Sequence, residues 1–194
     1  MKRGSIRTVI VIAGVTIVTT ALGVAVGTGY TQIREHYRRQ AALQERSEYL
    51  TKNLQGISIA SEFPDDDFPL LADGKVATVK NLLPHGGLVL FMYGECASCG
   101  EALAELGHAI DAAPGSVDKL AIIVADCGGE FTRVVTDLGL RSRVLMDQNE
   151  VMIRHHGLFV YPCYFQLDAG GAVVKLGADV NDAAGFLSLL TALK

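Results

Sequence analysis

The run Leu88-Val-Leu-Phe-Met-Tyr93 constrains this chain more than any other stretch. A strand with one wet face alternates apolar and polar residues, because successive side chains point to opposite sides. This run does not alternate. It reads as a strand buried on both faces, which demands covering elements on either side of it. Behind it Leu103, Leu106 and Ile110 recur at helical spacing, with Glu101 and Glu105 elsewhere on the helical surface, until Ala113-Pro-Gly-Ser116 breaks the pattern. A second buried strand reads over 119–126, then a helix through 130–139, a short strand at 143–146 and a helix over 149–157. Residues 163–176 hold two β-rich runs joined by Asp168-Ala-Gly-Gly171, the strongest hairpin signal in the chain. A last helix, capped by Asn181 or Asp182, presents Phe186, Leu187 and Leu190 to a core. Strands separated by helices predict an α/β fold with a largely parallel central sheet, to which the hairpin adds antiparallel strands. At 194 residues there is room for one such domain and an appendage.

The appendage is N-terminal. From Thr8 to Ile33 there are 26 residues without a charge, and about 20 apolar residues suffice for a helix to cross a bilayer. Ala25-Val-Gly27 would pass for a signal-peptide cleavage site, but the apolar stretch exceeds the roughly 7–15 residues of a signal core. Residues 8–30 therefore read as an uncleaved transmembrane anchor, with 1–7 as a short cytoplasmic tail. Lys2, Arg3 and Arg7 precede the span while Arg34, Arg38, Arg39 and Arg46 follow it, so basic residues alone do not orient it. Residues 31–56 mix both signs of charge with Ile33, Tyr37, Leu43, Leu50 and Leu54, and read as a helical stalk ending near Gly56. The globular domain is then 57–194. A net charge of −4 with no basic stripe argues against nucleic acid as a partner.

Four cysteines carry the candidate chemistry: Cys96, Cys99, Cys127 and Cys163. The first two sit where the buried strand gives way to the amphipathic helix. At a helix start the N–H groups lack intrahelical partners and the helix dipole is positive, and both favour a thiolate. Cys96 is thus the candidate nucleophile. Cys99, one turn on and on the same side, is placed to resolve a mixed disulfide formed on Cys96. A zinc site would want a second paired motif. Cys127 and Cys163 are 36 residues apart, and the adjacent His155 and His156 would point in different directions on a helix, so no metal is expected. A purely structural disulfide gains little from closing so short a loop.

With the βαβ context and Pro162 just before a strand, the sequence resembles the thioredoxin-like superfamily. Within it, the chain is similar to membrane-anchored extracytoplasmic proteins of the TlpA/ResA type, and most of all to the methylamine-dehydrogenase accessory proteins of the MauD type. The likeness covers roughly residues 60–190 and rests on DFPLLADGK, LVLFMYGECASC and VYPCYFQLDAGGAVVKLGADVN. It implies a thioredoxin-like fold, a central mixed sheet flanked by helices, behind one N-terminal transmembrane helix. It also implies a cis peptide bond before Pro162, with Pro162 against Cys96, and a Tyr161 backbone that offers strand-like hydrogen bonds to a substrate chain.

Three positions depart from the family pattern. Ala97-Ser98 between the cysteines lacks the Pro common in relatives and the His of strongly oxidising ones, so oxidant, reductant and isomerase roles all stay open. Glu95 stands where an aromatic is usual: it would oppose a Cys96 thiolate, or carry protons to and from Cys99, or be a bystander. Cys163, directly after Pro162, and Cys127 read either as small buried side chains or as relay partners for Cys96.

The expected function is a membrane-tethered thiol-disulfide oxidoreductase without a cofactor. It would act on a protein dithiol or disulfide client outside the cytosol, where disulfides persist, with a membrane electron donor or acceptor as a further partner. Methylamine dehydrogenase or cytochrome c maturation enters through the resemblance alone. Two other classes compete. A copper chaperone would use the thiols and a His as soft ligands, although copper carriers on this fold usually space their cysteines by three. A thiol peroxidase would show Pro-x-x-x-Thr/Ser-x-x-Cys, whereas Val89 and Tyr93 stand at the corresponding places.

Overall fold

The structure is a computed structural model that describes residues 30–38, 40–52, 54–178 and 182–192. The tail at 1–7 and the anchor at 8–30, Tyr30 apart, lie outside the described residues. Among the described residues no helix is long and apolar enough to cross a membrane. The chain divides into two units, 1–42 and 43–194. The described part of the first is helical and exposed throughout.

The second unit begins at Leu43, inside the stretch whose sequence reads as a stalk. Residues 43–52 form α1, and Leu50 is buried in the core with Ile57 while Leu54 packs against it. The structured domain thus reaches further back than residue 57. The charged neighbours of Leu50 conceal this, because a single inward leucine does not make a recognisable apolar stripe. Two short strands follow, β1 (Phe68–Pro69) and β2 (Val76–Ala77), paired antiparallel around Asp73-Gly74. Helix α2 (Val79–Leu82) starts on a reciprocal cap between Thr78 and Asn81.

The main elements are β3 (Gly87–Tyr93), α3 (Ala97–Ala112), β4 (Leu120–Ala125), α4 (Gly129–Asp137), β5 (Val144–Met146), α5 (Val151–His156), β6 (Cys163–Leu167), β7 (Val173–Gly177) and α6 (Ala183–Thr191). The sheet order is β5-β4-β3-β6-β7. Strands β3, β4 and β5 are parallel, and β6 and β7 join antiparallel. The sheet is therefore evenly mixed, with β3 at its centre.

That central place explains the unbroken apolar run. Val89 and Phe91 face one side, in a core shared with Leu50, Met152 and Phe165. Leu88, Leu90 and Met92 face the other, against Leu103 and Leu106 of α3, Phe131 of α4 and Phe186 of α6. Each such side chain contributes about 1.5–3 kcal/mol on burial. In α6 the cap is Asp182, whose carboxylate accepts the Gly185 N–H at 2.6 Å. The buried stripe is Phe186, Leu189 and Leu190 rather than Phe186, Leu187 and Leu190, with Leu187 half-buried. The i, i+3, i+4 set forms the narrower face.

Candidate active site

The strand-to-helix turn after β3 is held against the end of β4. Gly94 N–H donates to the Ala125 carbonyl at 3.0 Å. A Cβ on Gly94 would lie 1.7 Å from the Asp126 carbonyl oxygen, so only glycine fits this close approach. The chain then turns so that Cys96 becomes the N-cap residue of α3, in extended conformation (φ −82°, ψ 116°). Its carbonyl accepts the N–H groups of Cys99 (2.9 Å) and Gly100 (3.2 Å). The Cys96 sulfur therefore stands at the mouth of a 16-residue helix, beside the first-turn N–H groups of Ser98 and Cys99.

The two thiols have unequal surroundings. All four cysteines are free thiols; Cys96 is half-buried and Cys99 is buried at 1 % exposure. Partial burial opposes ionisation of Cys96. Hydrogen bonds from the Cys99 thiol, the Ser98 hydroxyl and the backbone N–H groups of both outweigh it, and the Cys96 pKa lies below the ordinary thiol value. The Ser98 Oγ is 3.0 Å from the Cys96 sulfur. Cys99 goes the other way. Burial, helped by the hydrogen bond it gives to Cys96, pushes its pKa up to about 12, although the Tyr93 N–H and the Arg46 charge work against that rise.

The loop before β6 closes the site from the opposite side. The Tyr161–Pro162 peptide bond is cis. The Tyr161 carbonyl oxygen is 4.0 Å from the Cys96 sulfur. The Tyr161 ring stacks on Tyr93, with centroids 5.2 Å apart, and meets Phe91 edge-on. Cys96, Cys99, Tyr161 and Pro162 are thus brought together. Glu95 is exposed to solvent. Cys163 opens β6 opposite Phe91 and is buried at 2 % exposure. Its burial raises its pKa, the nearby Cys99 adds to the rise, and Arg46 opposes it. Cys127, half-buried beyond β4, has its sulfur 3.4 Å from the Thr132 hydroxyl. His156 turns to Asp66 at 2.9 Å instead. Among the described residues no three His, Cys, Asp or Glu side chains group as a metal site.

Sequence reasoning misses one residue of the site, Arg46. Its guanidinium donates to the Tyr161 carbonyl at 2.5 Å from a position 115 residues earlier in the chain. The available signal is its spacing of four from Leu50, which puts both on one helical face.

No protein-family model matches this sequence, and no curated protein matches it either. Solved structures do. The thioredoxin domain of a thiol-disulfide oxidoreductase from Bacteroides vulgatus superposes with a TM-score of 0.54 at 14% identity, over 71% of this chain and 99% of that one. A secreted disulfide oxidoreductase from Mycobacterium tuberculosis gives 0.51 at 16% identity, over 66% of this chain and 96% of that one. StoA from Bacillus subtilis gives 0.50 at 13%, over 65% and 96%. The fold is thioredoxin-like.

Proposed function

We propose that this chain is a thiol-disulfide oxidoreductase that uses Cys96 as nucleophile and Cys99 as resolving thiol. The observation that carries the reading is the asymmetry of the pair. One sulfur is accessible and biased toward thiolate, while the other is buried and biased toward thiol. A thiolate is the attacking species in disulfide exchange. In the reducing direction the Cys96 thiolate attacks one sulfur of a client disulfide, and the other client sulfur leaves with the bonding pair and takes a proton. Cys99 then loses its proton and attacks the Cys96 sulfur, releasing the second client thiol. Two electrons pass from the dithiol to the client, and a dithiol donor must return them. Oxidation of a client runs the same steps backwards, with a disulfide acceptor closing the cycle.

A client chain would lie as an added strand along the Tyr161 backbone, next to the Cys96 sulfur. The charge-free N-terminal segment and the persistence of disulfides outside the cytosol support a membrane tether with residues 31–194 extracytoplasmic. Maturation of methylamine dehydrogenase or of cytochrome c is the role the resemblance favours.

The test is turnover of a peptide disulfide with Cys96→Ser and Cys99→Ser. Cys96→Ser should lower the rate by on the order of 10³-fold or more, as loss of a nucleophile does. Cys99→Ser should accumulate a mixed disulfide on Cys96 visible by mass. Undiminished turnover in Cys96→Ser overturns the reading.

A further inference from the structure

Exchange requires negative charge at two sulfurs in turn, and the second is the difficult one, because Cys99 lies under Cys96 in a buried position. A charged side chain that reaches this centre would have to be held there by the fold. Arg46 meets that requirement. It is half-buried on α1, one turn before Leu50, which is buried at 2 % exposure and fixes the helix to the core. Just beyond α1 the chain is tied again, with Gln55 N–H donating to the His156 carbonyl at 2.9 Å. From this mount the Arg46 Nη2 donates to the Tyr161 carbonyl oxygen, the same oxygen that lies 4.0 Å from the Cys96 sulfur. The guanidinium is thus one carbonyl removed from the Cys96 sulfur, to which the Cys99 thiol is hydrogen-bonded, and in this partly dry site a charge acts more strongly than in water.

We infer that Arg46 is a positioning residue of the thiol centre: it fixes the Tyr161 carbonyl beside Cys96, and its permanent charge favours the Cys99 thiolate during resolution of the mixed disulfide. The inference rests on the exchange reading above and adds to it a residue from outside the strand-helix-loop core of the site. In the resolving step the Cys99 thiol gives up its proton and its sulfur pair attacks the Cys96 sulfur. The client sulfur departs with the old bonding pair and is protonated. Arg46 exchanges no proton, since guanidinium stays charged in proteins. The other groups around Cys99 are the Tyr93 N–H, the Cys96 thiol and the buried Cys163 thiol of β6, and Arg46 alone carries a permanent positive charge.

The experiment uses the full-length chain and an aromatic disulfide whose two halves are released as coloured thiolates. The first release reports attack by Cys96 and the second reports resolution by Cys99. Arg46→Gln should slow the second release at least threefold at neutral pH and move its pH profile upward, with a smaller effect on the first. Arg46→Lys should keep the second release within about twofold until lysine loses its proton near about pH 10.4, producing a break that the wild type does not show. Arg46→Gln with wild-type rate and profile for the second release overturns the inference, whatever happens to the melting temperature. If Arg46→Gln does not fold, Arg46→Lys decides, and a profile without that break overturns it. Failure of the first release in the wild-type chain would instead remove the exchange reading itself.

Discussion

The backbone N–H of Tyr93 is 3.5 Å from the Cys99 sulfur and points at it. The last residue of the central strand therefore supports the second thiol from beneath, while the first stands at the helix mouth above. Two cysteines of identical chemistry are thereby given opposite tendencies to ionise.

Alkylation should read this directly. A thiol is labelled as its thiolate, so near pH 7.5 the reduced protein should take its fast label at Cys96. Cys99 should label more readily as pH climbs, up to about 12. The sign for stability follows from the same shift. Folded Cys99 keeps a proton that the unfolded chain releases at ordinary thiol pH. Its contribution is complete below that range and is lost as pH rises toward about 12. Urea denaturation of the reduced and oxidised chains across alkaline pH should show the larger loss in the reduced form, because buried Cys163 adds a loss of the same sign to both forms. Equal labelling of both cysteines at pH 7.5 contradicts the asymmetry.

Cys163 should behave as a core residue. It is buried at 2 % exposure and burial disfavours its thiolate. After mild oxidation, peptide mapping by mass should find Cys96 linked to Cys99, with Cys163 alkylated only once the protein is unfolded. Recovery of a Cys96–Cys163 linkage would instead establish the relay role.

Gly94→Ala should destabilise the domain by about 1–3 kcal/mol, the usual cost of overpacking. The added Cβ would be driven into the Asp126 carbonyl at 1.7 Å, and backbone cannot swing aside as a side chain can. The shift in the urea midpoint measures it. Because the same turn carries Cys96, the alkylation rate at Cys96 should change as well.

Asp147→Ala should cost about 1–3 kcal/mol through unsatisfied donors. This buried carboxylate accepts the N–H groups of Val151 at 2.7 Å and Met152 at 2.9 Å, capping α5. Asp147→Asn, which keeps one acceptor, should lose less. Thermal melts of the two variants rank them, and equal losses would show that the cap is not what Asp147 supplies.

Much of this site is local, and local features are what a sequence displays. The run 88–93 and the thiols three residues apart put Cys96 at the end of a buried strand and the start of a helix, because periodicity fixes both elements. Asp168-Ala-Gly-Gly171 marks the β6–β7 hairpin by turn chemistry that is equally local. The small β1–β2 pair and α2 are too short to show a period, so they escape a periodic reading.

What the amino-acid order determined, then, is the succession of strands and helices and the placing of two thiols at a helix mouth, since hydrophobic period and cap position act over a few neighbours. What only the tertiary structure decided is which groups surround those thiols. Leu50 carries α1 into the core, Arg46 reaches the Tyr161 carbonyl, and Tyr93 lies beneath Cys99. Those contacts join segments up to 115 residues apart. They arise from packing a helix of mixed charge against the sheet, and no pattern within either segment encodes where the other will lie.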